Sequence, residues 1–259
     1  MNYVGSKTRI ASQIIRVIMD NYRPNYIELF CGGCNVARHL PTNQFNITLN
    51  DISTELISLL QISQSGWRPP LERPTKDEWY RLLKGNDPAM RGYAQFLFTY
   101  RSRQSYYAID ENSKIHTTYK DNVLAFNKTI SQLLANKTIQ FTNHSCFDFS
   151  FTDYPPNETI IYCDPPYENT GHDYDLSADN KFNHKDFWQL MRELQDKGYL
   201  TLTSEIQAPK DFTPIVERKL THIINSNNYK RITERLFTYS KYLDKVKYNR
   251  QYSLFGKDF

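Results

Sequence analysis

Apolar positions recur at helical spacing between Ile10 and Met19, where Ile10, Ile14, Ile15, Val17 and Ile18 form one stripe. This predicts a helix, with Ser6 or Thr8 as its cap. Tyr26 to Phe30 then reads as a short buried strand, followed by Cys31-Gly32-Gly33 and a helical run from Asn35 to His39. Phe45 to Leu49 is a second strand that ends at Asn50-Asp51, and Ser53 to Ser63 is again helical. Strand, glycine turn, helix, strand and helix in that order make a βαβ unit. Such a unit predicts a parallel sheet covered by helices.

The pattern breaks between Ser65 and Pro74, where Gly66, Pro69, Pro70 and Pro74 cluster. Residues 75–135 show no strand alternation and read as helical or irregular, with the aromatic-rich run Phe96 to Asp110 inside them. We read 65–135 as an insertion. Strand patterns resume at Thr138 to Phe141 and at Thr159 to Cys163. A helix over 184–197 and a strand from Tyr199 to Thr203 follow. Two late strands, about 220–225 and 234–239, are expected to pair antiparallel around Asn227-Asn228. The fold class expected is α/β: a Rossmann-like, mostly parallel sheet with an antiparallel C-terminal hairpin and a helical insertion. The expected segments are 1–64, the insertion 65–135, and 136–259.

Composition narrows the field. A chain of 259 residues can bury a core without disulfides or metal. No apolar run approaches the roughly 18 residues of a membrane span. The N-terminal segment lacks the apolar core and cleavage site of a signal peptide. Cys31, Cys34, Cys146 and Cys163 form no disulfide framework, which suggests a reducing cytoplasm. Cys31 and Cys34 could suit a redox pair, but no second pair completes a zinc site, and the histidines show no metal spacing. The net charge of +4 is unevenly spread. Pro209 to Phe259 holds eleven Lys/Arg against five Asp/Glu, while the rest of the chain is slightly negative. A basic end interleaved with tyrosines suits a nucleic-acid backbone.

The sharpest chemical feature is Asp164-Pro165-Pro166-Tyr167, directly after the apolar strand Ile160 to Cys163. In an open parallel sheet, ligands bind outside the carboxyl ends of the strands. The two prolines fix an extended backbone and offer no N–H. The Asp164 carboxylate and the neighbouring carbonyls thus present acceptors, and Tyr167 presents a flat face. Such a set suits an amino group on a planar ring. Gly32 and Gly33 permit a tight turn and close backbone approach to a ligand. An acid about 20 residues further on, Asp51, can accept from ribose hydroxyls.

These motifs, in this order, resemble the N6-adenine DNA methyltransferases of the Dam type, which use S-adenosylmethionine. Tyr3-Val4-Gly5-Ser6-Lys7 resembles the family's N-terminal cofactor motif. Tyr26 to Gly33 resembles its strand-plus-glycine loop, Asn50-Asp51-Ile52 its second acid, and Arg231 to Phe237 its closing strand. The resemblance implies cofactor contacts from Tyr3, Lys7, Glu28, Phe30, Gly32, Gly33, Asp51, Ile52, Ser145, Cys146 and Asp164. Phe147-Asp148 is the alternative register for the Ser145-Cys146 pair. It implies catalysis by Asp164, Pro165, Pro166 and Tyr167 on an adenine flipped out of double-stranded DNA. It also implies the cytoplasm of a bacterial or phage-infected cell; with no metal spacing and no membrane-length run, the expectation is no metal, no membrane, and a monomer or weak homodimer. The insertion carries Arg101, Arg103, Gln104, Tyr106 and Tyr107, which can read or wedge bases. It lacks the Asn-x-Pro element of many relatives. Lys241, Lys245, Lys247 and Arg250 are candidate phosphate contacts. Thr203-Ser204-Glu205 stands where relatives carry Ser-Asn. An RNA adenine methyltransferase would share the catalytic loop, and an inactive nucleic-acid-binding relative is the non-enzyme alternative.

Overall fold

The computed structural model describes residues 7, 10–41, 43–98, 119–135, 138–168, 182–225 and 228–248. They fall into two compact units, one of Met1–Arg9 with Phe30–Cys146 and one of Ile10–Leu29 with Phe147–Phe259. Each unit draws on both halves of the chain.

In the first unit, β2 (Asn46–Asn50) and β3 (Ile139–Thr142) pair in parallel. Helix α2 (Thr54–Gln64) falls where the sequence predicts a helix, and Ser53 caps it by accepting the Leu56 N–H. The region read as an insertion supplies α3 (Lys76–Lys84), α4 (Pro88–Phe98) and α5 (Tyr119–Leu134). Thr75 and Glu78 form a capping box at the start of α3. These helices are not a separate body, because they share the core of this unit. Leu56, Leu59 and Leu60 of α2, Ala94 and Leu97 of α4, and Val123 and Phe126 of α5 are all buried. Gly92 sits so close to α2 that a Cβ there would lie 2.2 Å from the Glu55 carbonyl oxygen. Polar ties complete the layer: Arg91 pairs with Glu55 at 3.0 Å, and the Trp79 indole N–H donates to the Ala94 carbonyl.

In the second unit, β1 (Asn25–Glu28), β4 (Thr159–Cys163), β5 (Leu200–Glu205), β7 (Asn228–Tyr239) and β6 (Phe212–Asn225) lie in that order. β1, β4 and β5 are parallel; β7 and β6 run antiparallel at the end. Helices α1 (Ala11–Asp20) and α6 (His184–Asp196) bury Ile14, Ile18, Phe187 and Met191. Arg23 ties down the amino ends of β4 and β5 by donating to the carbonyls of Pro156, Thr159 and Gly198. The strand pairings and the helices make this a mixed α/β fold, parallel with an antiparallel C-terminal hairpin.

Three local expectations change. Asn35 to His39 is not a helix but a three-residue 3-10 turn, Ala37–His39. Cys34 in the left-handed region and Pro41 leave room for about one turn, too little to recover the cost of helix nucleation. The N-cap of α1 is Ile10, which makes no side-chain capping bond; Ser6 and Thr8, the expected caps, lie outside the described residues. The late strands are far longer than expected, and Asn225 pairs with Asn228. Glu217, Arg218 and Lys219 hide the strand in the sequence, yet cross-strand bonds such as Arg235 to Glu217 at 2.7 Å support it.

Candidate active site

The glycine loop of the first unit is a closed backbone turn. Gly32 has φ +43° and Cys34 φ +53°. The Cys31 N–H donates to the Asn50 carbonyl at 2.8 Å, and the Cys34 N–H to that of Cys31 at 2.7 Å. Both cysteines are buried, and no disulfide joins them. Asp51 holds this loop. Its Oδ2 accepts the Gly32 N–H and its Oδ1 the Ser53 N–H, each at 3.0 Å. Burial raises the Asp51 pKa, against the lowering effect of these backbone bonds.

Asn50 and Asn143 hold the end of β3 beside Asp51. Asn50 Oδ1 accepts from the His144 N–H and the Thr142 hydroxyl, and its Nδ2 donates to the His144 carbonyl. Asn143 Nδ2 donates to the carbonyls of Asp51 and Ile52. Sequence reasoning singles out Asp51 and passes over both asparagines; an Asn at the end of a strand next to a candidate acid was the available signal. Cys146 is buried and Ser145 half-buried here, whereas Phe147 and Asp148 are exposed. Ile52 is 66% exposed, an apolar side chain beside the acid. Lys7 is buried and Phe30 half-buried. Tyr3 lies outside the described residues.

In the second unit, β4 delivers Asp164-Pro165-Pro166-Tyr167 at its carboxyl end, as the sequence predicts. Asp164 and Tyr167 are half-buried and Pro165 is buried. The Tyr167 phenol is pushed well above its ordinary pKa, by burial first and then by the charges around Asp164, Glu234, Tyr162 and Glu205. It therefore stays neutral at any physiological pH. Glu28 ends β1 with its Oε2 accepting from the Tyr26 hydroxyl at 3.1 Å, and it is 2% exposed. Glu205 and Glu234 are buried carboxylates on the neighbouring strands that sequence reasoning did not place at the site.

Arg101, Arg103, Gln104, Tyr106 and Tyr107 lie outside the described residues, as does Arg250. Lys245 and Lys247 line a groove of about 700 Å³ with Asn21, Asn157, Gly198 and Tyr242. That groove is at the amino ends of β4 and β5, opposite to Asp164. Among the described residues, no group of three or more His, Cys, Asp or Glu could hold a metal ion. No helix among them is long and apolar enough to cross a membrane.

A type II methyltransferase, M.FokI of Planomicrobium okeanokoites, is 25% identical over 221 residues, covering 75% of this chain and 32% of the relative. The chain thus spans about a third of that relative's length. Among solved structures, a putative methylase from Haemophilus influenzae is 10% identical at TM-score 0.39, covering 89% of this chain and 88% of the other. A precorrin 8w decarboxylase from Methanobacterium thermoautotrophicum is 8% identical at TM-score 0.38, covering 88% of each chain. Scores this low carry no weight for the fold, which rests on the strand pairings. The D12 class N6 adenine-specific DNA methyltransferase family matches residues 3–236, from the N-terminal aromatic motif through Asp164-Pro165-Pro166-Tyr167 to β7, and the chain belongs to that family.

Proposed function

We propose that this chain methylates N6 of adenine in DNA, with S-adenosylmethionine as methyl donor. The observation that carries the reading is the unaltered Asp164-Pro165-Pro166-Tyr167 at the carboxyl end of a buried parallel strand. Each residue has a task. Asp164 and the Pro165 carbonyl accept hydrogen bonds from the adenine amino group, which localises its lone pair. Pro165 and Pro166 remove backbone donors that would compete for that amino group. Tyr167, kept neutral, stacks on the extruded base. Positioning and electrostatics carry the effect, and no covalent enzyme intermediate is needed.

The chain's own residues fit the cofactor. The Gly32 turn leaves room for close backbone approach. Asp51 offers a buried carboxylate for ribose hydroxyls, and exposed Ile52 offers an apolar face for a base. Buried Glu28 suits an ammonium group, with Tyr3, Lys7, Phe30, Gly33, Ser145 and Cys146 as further contacts. When bound, S-adenosylmethionine supplies the electrophilic sulfonium methyl. Residues 65–135 are the proposed target-recognition region, with Arg101, Arg103, Gln104, Tyr106 and Tyr107 at the bases. Lys245 and Lys247 are proposed phosphate contacts. They line the groove at the amino end of β4, whose five residues, about 17 Å of strand, lead to Asp164. The phosphates they reach therefore belong to duplex flanking the target. Modification of a restriction site is the role suggested by the type II relative.

Tritium transfer from labelled cofactor to unmethylated genomic DNA and to RNA tests the reading. We expect label on DNA N6-adenine, a loss of about 10³-fold or more in Asp164→Ala, and cofactor affinity in that variant within about tenfold. Wild-type turnover in Asp164→Ala, or transfer to RNA alone, would overturn it.

A further inference from the structure

In the second unit, adjacent strands carry a row of buried polar side chains, with apolar ones between them, on one sheet face. Register places Glu28 of β1 beside Tyr162 of β4, Tyr162 beside Leu202 of β5, and Ser204 beside Leu236 of β7. Side chains two apart on a strand share a face. Glu28, Tyr162, Ser204 and Glu234 therefore stand on one face across four adjacent strands. Leu202 and Leu236 stand among them on that face, with Ile160 and Leu200 lower down, all buried. The polar row is buried too: Glu28 is 2% exposed, Tyr162 0%, Ser204 1% and Glu234 7%. It runs along the carboxyl ends of the parallel strands and across the middle of β7, immediately before Asp164.

A buried polar row costs desolvation that apolar side chains would avoid. Two bonds recover part of that cost: Tyr26 to Glu28 at 3.1 Å, and Tyr162 with Ser204 at 2.9 Å. The second joins the strand that ends in the catalytic loop to its neighbour. Tyr162 is two residues before Asp164, and its phenol is pushed up by burial first and then by the charge of Asp164, Glu28 and Glu234. The tyrosine stays neutral and its hydroxyl keeps a proton in this setting.

We propose that Tyr162 and Ser204 are positioning residues for Asp164. Their hydrogen bond fixes the floor on which the catalytic loop rests, and so fixes the carboxylate's aim at the adenine amino group. The proposal rests on the methyl-transfer reading above and adds two residues to it.

The test compares Tyr162→Phe, Ser204→Ala, Ser204→Thr and Tyr199→Phe in the full chain. Tyr199 is the control. Its hydroxyl donates to the carbonyls of Phe151 and Tyr154 near the amino end of β5, away from the loop. Transfer rates on unmethylated genomic DNA, cofactor binding by calorimetry, and thermal melting are measured for each. We expect Tyr162→Phe and Ser204→Ala to lose about tenfold or more in kcat with cofactor affinity little changed. Ser204→Thr should restore the rate by restoring the hydroxyl. Tyr199→Phe should lower the melting temperature and leave kcat alone. Near-wild-type kcat in folded Tyr162→Phe or Ser204→Ala overturns the proposal. So does an equal kcat loss in Tyr199→Phe, because the effect would then be general destabilisation. Should Ser204→Ala melt below the assay temperature, Ser204→Thr without recovered activity still overturns it. A wild type that transfers no methyl sinks the functional reading itself; an active wild type with unimpaired variants sinks this proposal alone.

Discussion

Asp51 shapes the loop that is proposed to meet the cofactor. Both its oxygens already accept backbone N–H bonds, from Gly32 and Ser53, so it shapes the glycine loop. Asp51→Asn keeps the size but turns one acceptor into a donor facing an N–H. We expect a loss of about 2 kcal/mol in denaturant unfolding, together with weaker cofactor binding. An unchanged unfolding midpoint would remove the structural role. The pH sense is also fixed. A folded pKa raised by burial means that Asp51 favours the fold when protonated, and this contribution is lost as pH rises through its folded value. The variant should therefore show a flatter stability profile across that range. The sequence identified Asp51 through its spacing from Gly32, a local signal. It could not identify Asn50 or Asn143, whose bonds span some ninety residues of chain.

At the scale of elements, α4 packs tightly against α2. Gly92 permits it, and a methyl group there would overlap the Glu55 carbonyl. Gly92→Ala should destabilise the protein by about 3 kcal/mol, read by chemical denaturation, although alanine favours helices. A neutral or stabilising result would mean that α4 shifts freely on α2. Strand β4 was legible to the residue, because a continuous apolar run bounded by Pro and an acid has one reading. The 3-10 turn at Ala37–His39 was not, because five residues of helical composition do not reveal that Pro41 and a left-handed Cys34 bracket them. The long hairpin was underread for the opposite reason. Its charged stretch lacks apolar alternation, and its support comes from the partner strand.

For the whole molecule, charge gives the clearest expectation. Lys245 and Lys247 are exposed at the groove behind β4 and β5, and Lys245 lies 5.1 Å from the Tyr242 ring centroid. Replacing both lysines with alanine should reduce the slope of log affinity against log salt by about 2 on a long duplex. Site preference and turnover on a duplex too short to reach the groove should hold. An unchanged slope would place the bound DNA elsewhere. The basic C-terminal fifth suggested a phosphate-binding surface from composition alone. Its separation from Asp164 is a property of the folded sheet.

The sequence by itself determined the α/β order, the strand that ends at Asp164, the glycine loop with its acid, and the family. These are carried by runs and spacings a few residues long, where local sterics leave few options. Only the tertiary structure decided that the inserted helices share a core with α2, that Asn50 and Asn143 clamp the loop around Asp51, and that Tyr162 and Ser204 stand in one buried row with Glu28 and Glu234. Those arrangements depend on which strands become neighbours and in what register. That is a long-range outcome of burial and pairing, which no short window of sequence contains.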